Sequence, residues 1–298
     1  MYRTRERYET LKDEPLKYPI CVPSYNRPDN GFIQWVKKTP NLPKENLYMF
    51  IRNTPEQKAL YKPLSKWVNL VLIPANTKDG GETRRHIINW GVKHGHKLLF
   101  MLDDRVNGVW WLEPVVRNGK TYLDVAKDST PTQAFKLWAD QHISNGMLMT
   151  GISSKGFHWM TDRINYPIEP LNGTGVAVCI GVSPIKLVNS GVNYKSISEA
   201  GVEDLQILYQ LLINKLPFCM LHDFCYNQVP PCASGGSSEE GLARNERLLK
   251  YKKLFWEKSL GLNWGTPHPG FVIRQRKQES NVVYINRRYW REYYADSK

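Results

Sequence analysis

Residues 98–106, LLFMLDDRV, join a short apolar run to two adjacent aspartates, and this stretch decides the fold predicted for the chain. Three further apolar runs precede it, YPICV at 18–22, LYMFI at 47–51 and LVLI at 70–73. None of these runs alternates polar and apolar residues, which is typical of strands buried on both faces of a parallel sheet. Between the third and fourth runs, TRRHIINWGVKH at 83–94 has much of the apolar stripe of a helix. Strands that alternate with helices predict an α/β fold with a mostly parallel central sheet flanked by helices.

The second half of the chain predicts a mixture of strands and helices. Apolar runs at 147–153, 176–182 and 217–221 predict strands, and EDLQILYQLLINKL at 203–216 predicts a helix. This half therefore extends the sheet without the regular alternation of the first half.

A C-terminal extension begins with a segment rich in Pro, Gly and Ser at 230–246, which predicts a loop. The serine pair at 237–238, followed by Glu240, predicts the cap of a helix that ends at Gly261. The segments FVIRQ and NVVYIN predict a small basic β-ribbon near the end of the chain. We therefore expect three parts: a basic N-terminal arm at 1–17, a domain at 18–229, and an extension at 230–298 that packs on the same domain.

Positive charge dominates the composition. The 298 residues include 41 Lys and Arg but only 28 Asp and Glu, which gives a formal net charge of +13. Such an excess favours a polyanionic partner, because each neutralised phosphate releases counterions. The charge is concentrated at 3–12 and at 273–298. Nucleic acid is the partner that this pattern favours, although the same surface can serve solubility or an anionic nucleotide donor.

The sequence gives no sign of membrane insertion or secretion. It has no run of about 18 apolar residues, and its charged N-terminus lacks the apolar core of a signal peptide. We therefore expect no membrane partner and a cytoplasmic location. Oligomeric state cannot be predicted from these features.

Five cysteines are present, and most lie in apolar surroundings. Cys21, Cys179 and Cys219 are in strand-like runs and are expected to be reduced core residues. A zinc site is the alternative use of Cys219, together with His222, Cys225 and Cys232, although their spacing matches no compact zinc motif.

Asp103 and Asp104 follow the fourth predicted strand, where ligands of parallel sheets bind. One carboxylate can hold ribose hydroxyls, and the other can bind a divalent cation that bridges the phosphates of a nucleotide-sugar. The alternative is a strand-end turn, in which Asp is common.

Two other segments can contact a nucleotide. PSYNRPDN at 23–30 follows the first strand and offers backbone donors, a tyrosine and an arginine; the alternative is a turn bracketed by prolines. NTKDGGETRRHIINWG at 76–91 places Gly80 and Gly81 before a helix whose N-terminus attracts anions, with Arg84 or Arg85 as a phosphate ligand. The alternative is a capped surface helix with solvated arginines.

Acids and a histidine in the second half can complete a site. Glu203 and Asp204 open a predicted helix after Gly201, and either can act as a general base; the alternative is the ordinary preference for acids in a first helical turn. His222 follows the strand at 217–221 and can be a metal ligand, although most single histidines are not.

Taken in chain order, these five features resemble the GT-A glycosyltransferases. The features are PSYNRPDN, the Gly-Gly-x-Thr-Arg helix start, LDD, the Glu-Asp pair and the strand-end His. The likeness is greatest to the TET-associated group of bacteriophages, relatives of the transferase domain of GREB-type proteins, which are associated with sugar transfer to hydroxymethylated pyrimidines in DNA. The resemblance covers roughly residues 18–225 and implies a GT-A, Rossmann-like fold.

The resemblance also implies roles for individual residues. Donor contacts are implied for Pro23, Ser24, Tyr25, Arg27, Gly81, Arg84 and Asp103. Asp104 and His222 are implied as ligands of Mn or Mg. Glu203 and Asp204 are implied as acids on the acceptor side, with Asp204 as the base. This sequence departs from the family pattern at Arg105, where a third acid is often found. The cation is therefore held by one carboxylate plus His222, or an arginine takes part of its role.

Three functions follow from these observations. In the first, a sugar passes from a nucleotide-sugar, expected to be UDP-linked, to the hydroxyl of a modified DNA base such as 5-hydroxymethylcytosine in phage DNA within the host cytoplasm. Arg287, Arg288 and Trp290 would then bind phosphates and stack on bases; the alternative is an aromatic tail packed on the core. In the second, the acceptor is a polysaccharide, lipid or protein. In the third, the chain is a nucleic-acid-binding protein or a metal-dependent nuclease that uses Asp103, Asp104 and Glu203.

Overall fold

The computed structural model describes residues 3–155, 168–170, 178–229, 244–276 and 279–295. Within these ranges, ten strands form one sheet in the order β3-β2-β1-β4-β9-β7-β10-β5-β6, with β8 paired to β10. The strands of the sheet are β1 (Ile20–Pro23), β2 (Leu47–Arg52), β3 (Asn69–Ile73), β4 (Leu99–Leu102), β5 (Val106–Arg117), β6 (Lys120–Val125), β7 (Met149–Ser154), β8 (Ile168–Pro170), β9 (Cys179–Val182) and β10 (Phe218–Gln228). A separate ribbon consists of β11 (Phe271–Arg276) and β12 (Glu279–Ile285).

Helices cover both faces of the sheet. They are α1 (Arg3–Leu11), α2 (Gly31–Lys37), α3 (Pro55–Tyr61), α4 (Gly80–Lys93), α5 (Pro131–Ser144), α6 (Pro184–Asn189), α7 (Ile197–Ala200), α8 (Glu203–Ile213), α9 (Arg244–Leu254) and α10 (Arg287–Ala295). No helix in the described part of the chain is long and apolar enough to cross a membrane.

The first four strands are parallel, as their apolar runs predict. Ile20 of β1 pairs with Leu47 of β2 on one side and with Phe100 of β4 on the other. Burial on both faces is confirmed for β1 and β4, whose neighbouring residues belong to opposite core clusters. The prediction of burial on both faces is wrong for β3, where Leu72 is 47% exposed because β3 lies at the edge of the sheet.

The second half of the sheet is mixed. β9 is antiparallel to both β4 and β7, while β10 is parallel to β7 and antiparallel to β5. β10 is longer than the strand predicted at 217–221, because its second half pairs with β5. The β5–β6 hairpin was not predicted from the sequence, and its turn consists of Asn118 and Gly119, both with positive φ. The Asn-Gly dipeptide is the signal that could have found it.

The basic N-terminal arm is not free. Arg5 pairs with Glu113 and Asp128, and the Nε of Arg7 donates to Asp140 at 2.8 Å. The ammonium of Lys136 donates to three backbone carbonyls at and just after the end of α1, those of Leu11, Lys12 and Glu14, at 2.6 to 2.7 Å. These contacts hold α1 against α5 and β5 and occupy Arg5 and Arg7, two of the arginines that the composition made available to a polyanion.

The C-terminal ribbon is confirmed, with Phe271 of β11 opposite Ile285 of β12. The helix predicted to open at 237–240 is described from Arg244, and the serines and Glu240 proposed to cap it lie outside the described residues. It ends in a π-helical turn at Phe255–Ser259. That turn lies directly on Gly201: a Cβ added to Gly201 would stand 2.2 Å from the backbone nitrogen of Phe255. The extension therefore packs against the segment that leads into α8.

Candidate active site

Polar side chains from the ends of β1 and β4 meet at one edge of the sheet, as the sequence predicts. β1 ends at Pro23, and the hydroxyl of Ser24 donates to Oδ2 of Asp104 at 3.1 Å. The backbone N–H of Phe32 also donates to the carbonyl of Asp104, at 2.9 Å. The loop after β1 and the acid pair after β4 therefore form one structural unit.

Asp104 is the most enclosed acid of this unit, with 2% of its surface exposed. Its Oδ2 lies 3.2 Å from Nε of Arg27. Burial and then the negative charge of Asp103 raise the pKa of Asp104 to about 7, and Arg27 only partly offsets them. A proton therefore binds to Asp104 readily near neutral pH.

Asp103 is partly exposed and is held by hydrogen bonds from Arg105. Oδ1 of Asp103 accepts from the backbone N–H and Nε of Arg105 at 3.0 and 3.2 Å, and Oδ2 from Nη2 at 3.3 Å. Burial opposes ionisation, but attraction to Arg105 and these hydrogen bonds outweigh it, so the pKa of Asp103 is lowered. Asp103 is therefore the ionised member of the pair.

The loop at 23–30 is held by hydrogen bonds with side chains of α3. This helix was not associated with the site from the sequence. The hydroxyl of Tyr61 hydrogen-bonds Ser24 at 2.7 Å and accepts from the backbone N–H of Arg27 at 2.9 Å. The side chain of Gln57 is hydrogen-bonded to Asn26. The available signal was the Thr54-Pro55 helix start, followed by two polar residues one turn apart.

Tyr25 stands at the outer part of the same loop. Its half-exposed ring lies under the guanidinium of Arg52, whose central carbon is 4.0 Å from the ring centroid. Arg52 is anchored in turn by donating to the carbonyl of Lys78 at 2.9 Å. The pair forms a planar platform of aromatic ring and guanidinium next to the acid motif.

The start of α4 is capped by its own chain. Asp79 accepts from the backbone N–H of Glu82 at 3.1 Å, and its other oxygen accepts from Ser196 and from the backbone of Ile197. A Cβ on Gly81 would stand 2.1 Å from the carbonyl oxygen of Lys195. The carbonyl of Lys195 is therefore one group whose close approach requires glycine at position 81, and the predicted donor contact of Gly81 stays a prediction.

Arg84 and Glu203, predicted separately, are in contact. Nη1 of Arg84 donates to Oε1 of Glu203 at 2.7 Å, and the arginine side chain is 9% exposed. Although burial opposes it, the charges of Glu203 and Asp204 raise the pKa of Arg84. The carboxylate of Glu203 also lies beside Gly80, since a Cβ there would be 2.9 Å from Oε1. Glu203 thus stands at the head of α4, where a negative charge is stabilised.

Asp204 is the second acid at the start of α8. Burial and then repulsion by Glu203 raise its pKa to about 7; Arg84 lowers it, and Asp103 adds to the rise. The negative charge of Asp103 therefore contributes to the raised pKa of Asp204, which relates the acids after β4 electrostatically to the start of α8.

His222 lies inside β10 and is 2% exposed, in the segment where pairing with β7 shifts register. Within the described residues, no group of three or more His, Cys, Asp and Glu side chains is arranged to hold a metal ion. The zinc alternative gains no support: burial raises the pKa of Cys219 and Cys225 to about 12, which disfavours thiolate ligands, and Cys232 lies outside the described residues.

The residues predicted for acceptor binding divide into two groups. Trp290 is 2% exposed, and its Nε1 donates to the carbonyl of Gly270 at 2.8 Å. A buried indole has no free face for a base, so its predicted stacking role is wrong and the alternative of packing on the core holds. Arg287 and Arg288 are exposed on the same helix.

The fold is similar to that of two solved glycosyltransferase structures. One is the mannosyltransferase PcManGT from Pyrobaculum calidifontis in complex with GDP-Man and Mn2+, with 13% identity, 86% of this chain and 70% of that chain covered, and a TM-score of 0.47. The other is glucosyl-3-phosphoglycerate synthase from Mycobacterium tuberculosis in complex with Mg2+ and uridine-diphosphate, with 9% identity, 94% and 90% covered, and a TM-score of 0.47. No protein-family model matches the sequence, and no curated protein sequence matches it. Likeness at this level does not establish a shared activity, so the chemistry has to come from the residues of the site.

Proposed function

We propose that this chain is a GT-A type glycosyltransferase that transfers a sugar from a nucleotide-sugar to a hydroxyl group. One observation supports this most strongly: the loop at 23–30 is joined to the acid pair after β4 by the hydrogen bond from Ser24 to Asp104, and Arg84 of α4 is paired with Glu203 at the start of α8. A crevice bordered by these residues can hold a diphosphate between its arginines and place a carboxylate near the sugar.

The donor binds along the edge of the sheet. The Tyr25 and Arg52 platform supports stacking of the base, the ionised carboxylate of Asp103 accepts hydrogen bonds from the ribose, and Arg27 and Arg84 face the diphosphate. Pro23 ends β1 and sets the direction of the loop. Following the resemblance, we propose that the donor is a sugar linked to uridine diphosphate.

The acid pair is the proposed site of a divalent cation. Asp103 and Asp104 are adjacent in the chain, the charge of Asp103 raises the pKa of Asp104, and Mn2+ or Mg2+ takes such oxygen ligands. We assign Asp104 as the ligand, with His222 as the proposed second one. When bound, the cation neutralises the diphosphate that leaves. Arg105, which is bound to Asp103, would neutralise part of the charge of that carboxylate beside the cation.

Asp204 is the proposed general base. Its pKa of about 7 lets it take a proton from the acceptor hydroxyl at neutral pH. As the hydroxyl oxygen bonds to the anomeric carbon, the bond from that carbon to the diphosphate breaks and the proton passes to Asp204. Glu203 is held by Arg84, so its role is to orient that arginine and the sugar rather than to exchange a proton.

For the acceptor, we propose a hydroxymethylated pyrimidine in DNA. The net charge of +13 and the exposed Arg287 and Arg288 support a polyanion, and a base inside a duplex would have to be extruded to reach the crevice. A polysaccharide, lipid or protein acceptor is the second candidate. It is favoured by the ion pairs of Arg5 and Arg7 and by the burial of Trp290, which remove features that pointed to nucleic acid.

Two measurements test the proposal. We expect UDP with Mn2+ to raise the melting temperature more than either alone, because a ligand stabilises the folded form that binds it; GDP is the matched comparison. We then expect transfer of labelled glucose from UDP-glucose to DNA that contains 5-hydroxymethylcytosine, and none to unmodified DNA of the same sequence. If neither nucleotide binds, the glycosyltransferase assignment fails; if UDP binds and UDP-glucose is hydrolysed but both DNAs stay unlabelled, only the acceptor is wrong.

A further inference from the structure

Helix α3 presents two buried polar side chains to the loop at 23–30. Thr54 caps the helix, since its hydroxyl accepts from the backbone N–H of Gln57, and Pro55 starts the first turn. Gln57 and Tyr61 are one turn apart and are both buried, Tyr61 completely. Polar groups so deep in a core are retained only with partners, and here the partners are loop residues.

The hydrogen bonds of Tyr61 form a directed chain. Its oxygen accepts from the N–H of Arg27, so its own proton is available to Ser24. Ser24 in turn donates to Asp104. Burial raises the pKa of Tyr61 to about 12, so the phenol keeps its proton at neutral pH. Each proton in the chain from Tyr61 through Ser24 to Asp104 thus has an acceptor.

Gln57 holds the part of the loop that turns most sharply. Asn26 has φ of 54°, in the left-handed region that asparagine tolerates better than most residues. The amide nitrogen of Gln57 donates to the side-chain oxygen of Asn26, and its oxygen accepts from the backbone N–H of Asn26 at 3.4 Å. The two contacts fix both the side chain and the backbone at this turn.

We propose that Tyr61 and Gln57 are positioning residues for nucleotide binding, which hold the loop at 23–30 in its binding conformation and join it to Asp104. This inference rests on the proposed function, since it takes the loop as the donor site. Neither residue contacts the reacting atoms. Their loss should therefore weaken donor binding much more than it slows the chemical step.

The test compares two tyrosines whose hydroxyls are both hydrogen-bonded within the protein, one beside the loop and one at the end of α8. Tyr61→Phe removes the hydroxyl next to the loop. Tyr294→Phe removes a hydroxyl that donates to the carbonyls of Leu211 and Leu216, at 3.2 Å each, at the end of α8 away from the loop. We expect Tyr61→Phe to weaken UDP binding about ten-fold by calorimetry, as the loss of one to two buried hydrogen bonds predicts. Tyr294→Phe should bind UDP like the wild type.

Kinetics and hydrogen exchange complete the test. For hydrolysis of UDP-glucose, Tyr61→Phe and Gln57→Met should raise KM and leave kcat within about two-fold, a split that general destabilisation does not produce. Exchange of the amides at 24–30 should become faster in both variants and stay unchanged in Tyr294→Phe. Equal UDP binding by Tyr61→Phe and wild type would overturn the inference, as would equal losses in both tyrosine variants. A wild type that binds neither UDP nor GDP overturns the proposed function and the donor role, and unchanged exchange overturns the positioning of the loop.

Discussion

Arg84 and Glu203, 119 residues apart in the chain, share a hydrogen bond of 2.7 Å at the head of α4. The pair connects the helix before the acid motif to the helix that carries Asp204. Because both side chains are largely enclosed, the pair also fixes the start of α8 relative to α4. Its loss should affect stability and activity in different ways.

We expect Arg84→Met to destabilise the fold by about 3 kcal/mol, because it leaves Glu203 with an unmatched charge in a poorly hydrated place. The double variant Arg84→Met/Glu203→Leu should recover much of this stability, since two apolar side chains need no partner. Urea unfolding measures both. Sugar transfer should be lost in both, because neither has the arginine that faces the diphosphate. A double variant less stable than Arg84→Met would contradict the pairing.

Asp204 gives a prediction about activity and pH. As the proposed base it works when ionised, and its pKa is about 7. The rate at saturating donor should therefore fall as the pH drops below about 7, with the slope of a single ionisation. Asp204→Asn should abolish transfer and leave UDP binding intact. A pH profile that stays flat from 5 to about 8 would exclude Asp204 as the base.

The same group gives a prediction about stability with the opposite trend. The folded-state pKa of Asp204 is raised above the ordinary value of 3.8, so the folded form binds the proton more tightly than the unfolded form between these values. Stability therefore falls as the pH rises from about 4 to about 7, and the loss is complete above it. Asp204→Asn removes this loss, so we expect it to be more stable than wild type at pH ~8, by on the order of 1 kcal/mol or more, and similar at pH ~4. Chemical unfolding at the two pH values measures the difference, and equal stability at both would show that Asp204 is not buried among acids.

The meeting of the polar residues after β1 and β4 could be predicted from the sequence because its main determinant is local. Apolar runs mark β1 and β4 as inner strands, and the residues that follow parallel strands meet at one sheet edge. Which groups touch there could not be predicted. That Arg84 binds Glu203, and that Gly81 accommodates Lys195, depends on the packing of segments far apart in sequence. The same holds for Trp290, since an amphipathic aromatic helix has the same sequence pattern whether its apolar face meets a base or the core.

Asp104 is the residue on which metal dependence can be tested. Asp104→Asn keeps the shape of the side chain and can still accept from Ser24, but it removes the negative charge. We expect UDP to raise the melting temperature equally with and without Mn2+ in this variant, whereas in wild type Mn2+ should enlarge the shift. Asp128→Asn, an exposed acid on the N-terminal side of α5, is the control and should behave as wild type. A full Mn2+ effect in Asp104→Asn would remove Asp104 from the metal site.

The exposed arginines of α10 test the choice of acceptor. Arg287→Glu/Arg288→Glu changes the charge of the C-terminal helix, and Arg117→Glu/Lys120→Glu makes the same change of net charge on the β5–β6 hairpin. If DNA lies along α10, the first variant should raise KM for DNA and lower the slope of log KM against log salt by about one for each phosphate that is no longer neutralised. The hairpin variant should leave that slope unchanged, and both should hydrolyse UDP-glucose at the wild-type rate. Equal effects of the two variants would mean that net charge alone attracts the acceptor, and no effect of either would favour an uncharged acceptor such as a polysaccharide.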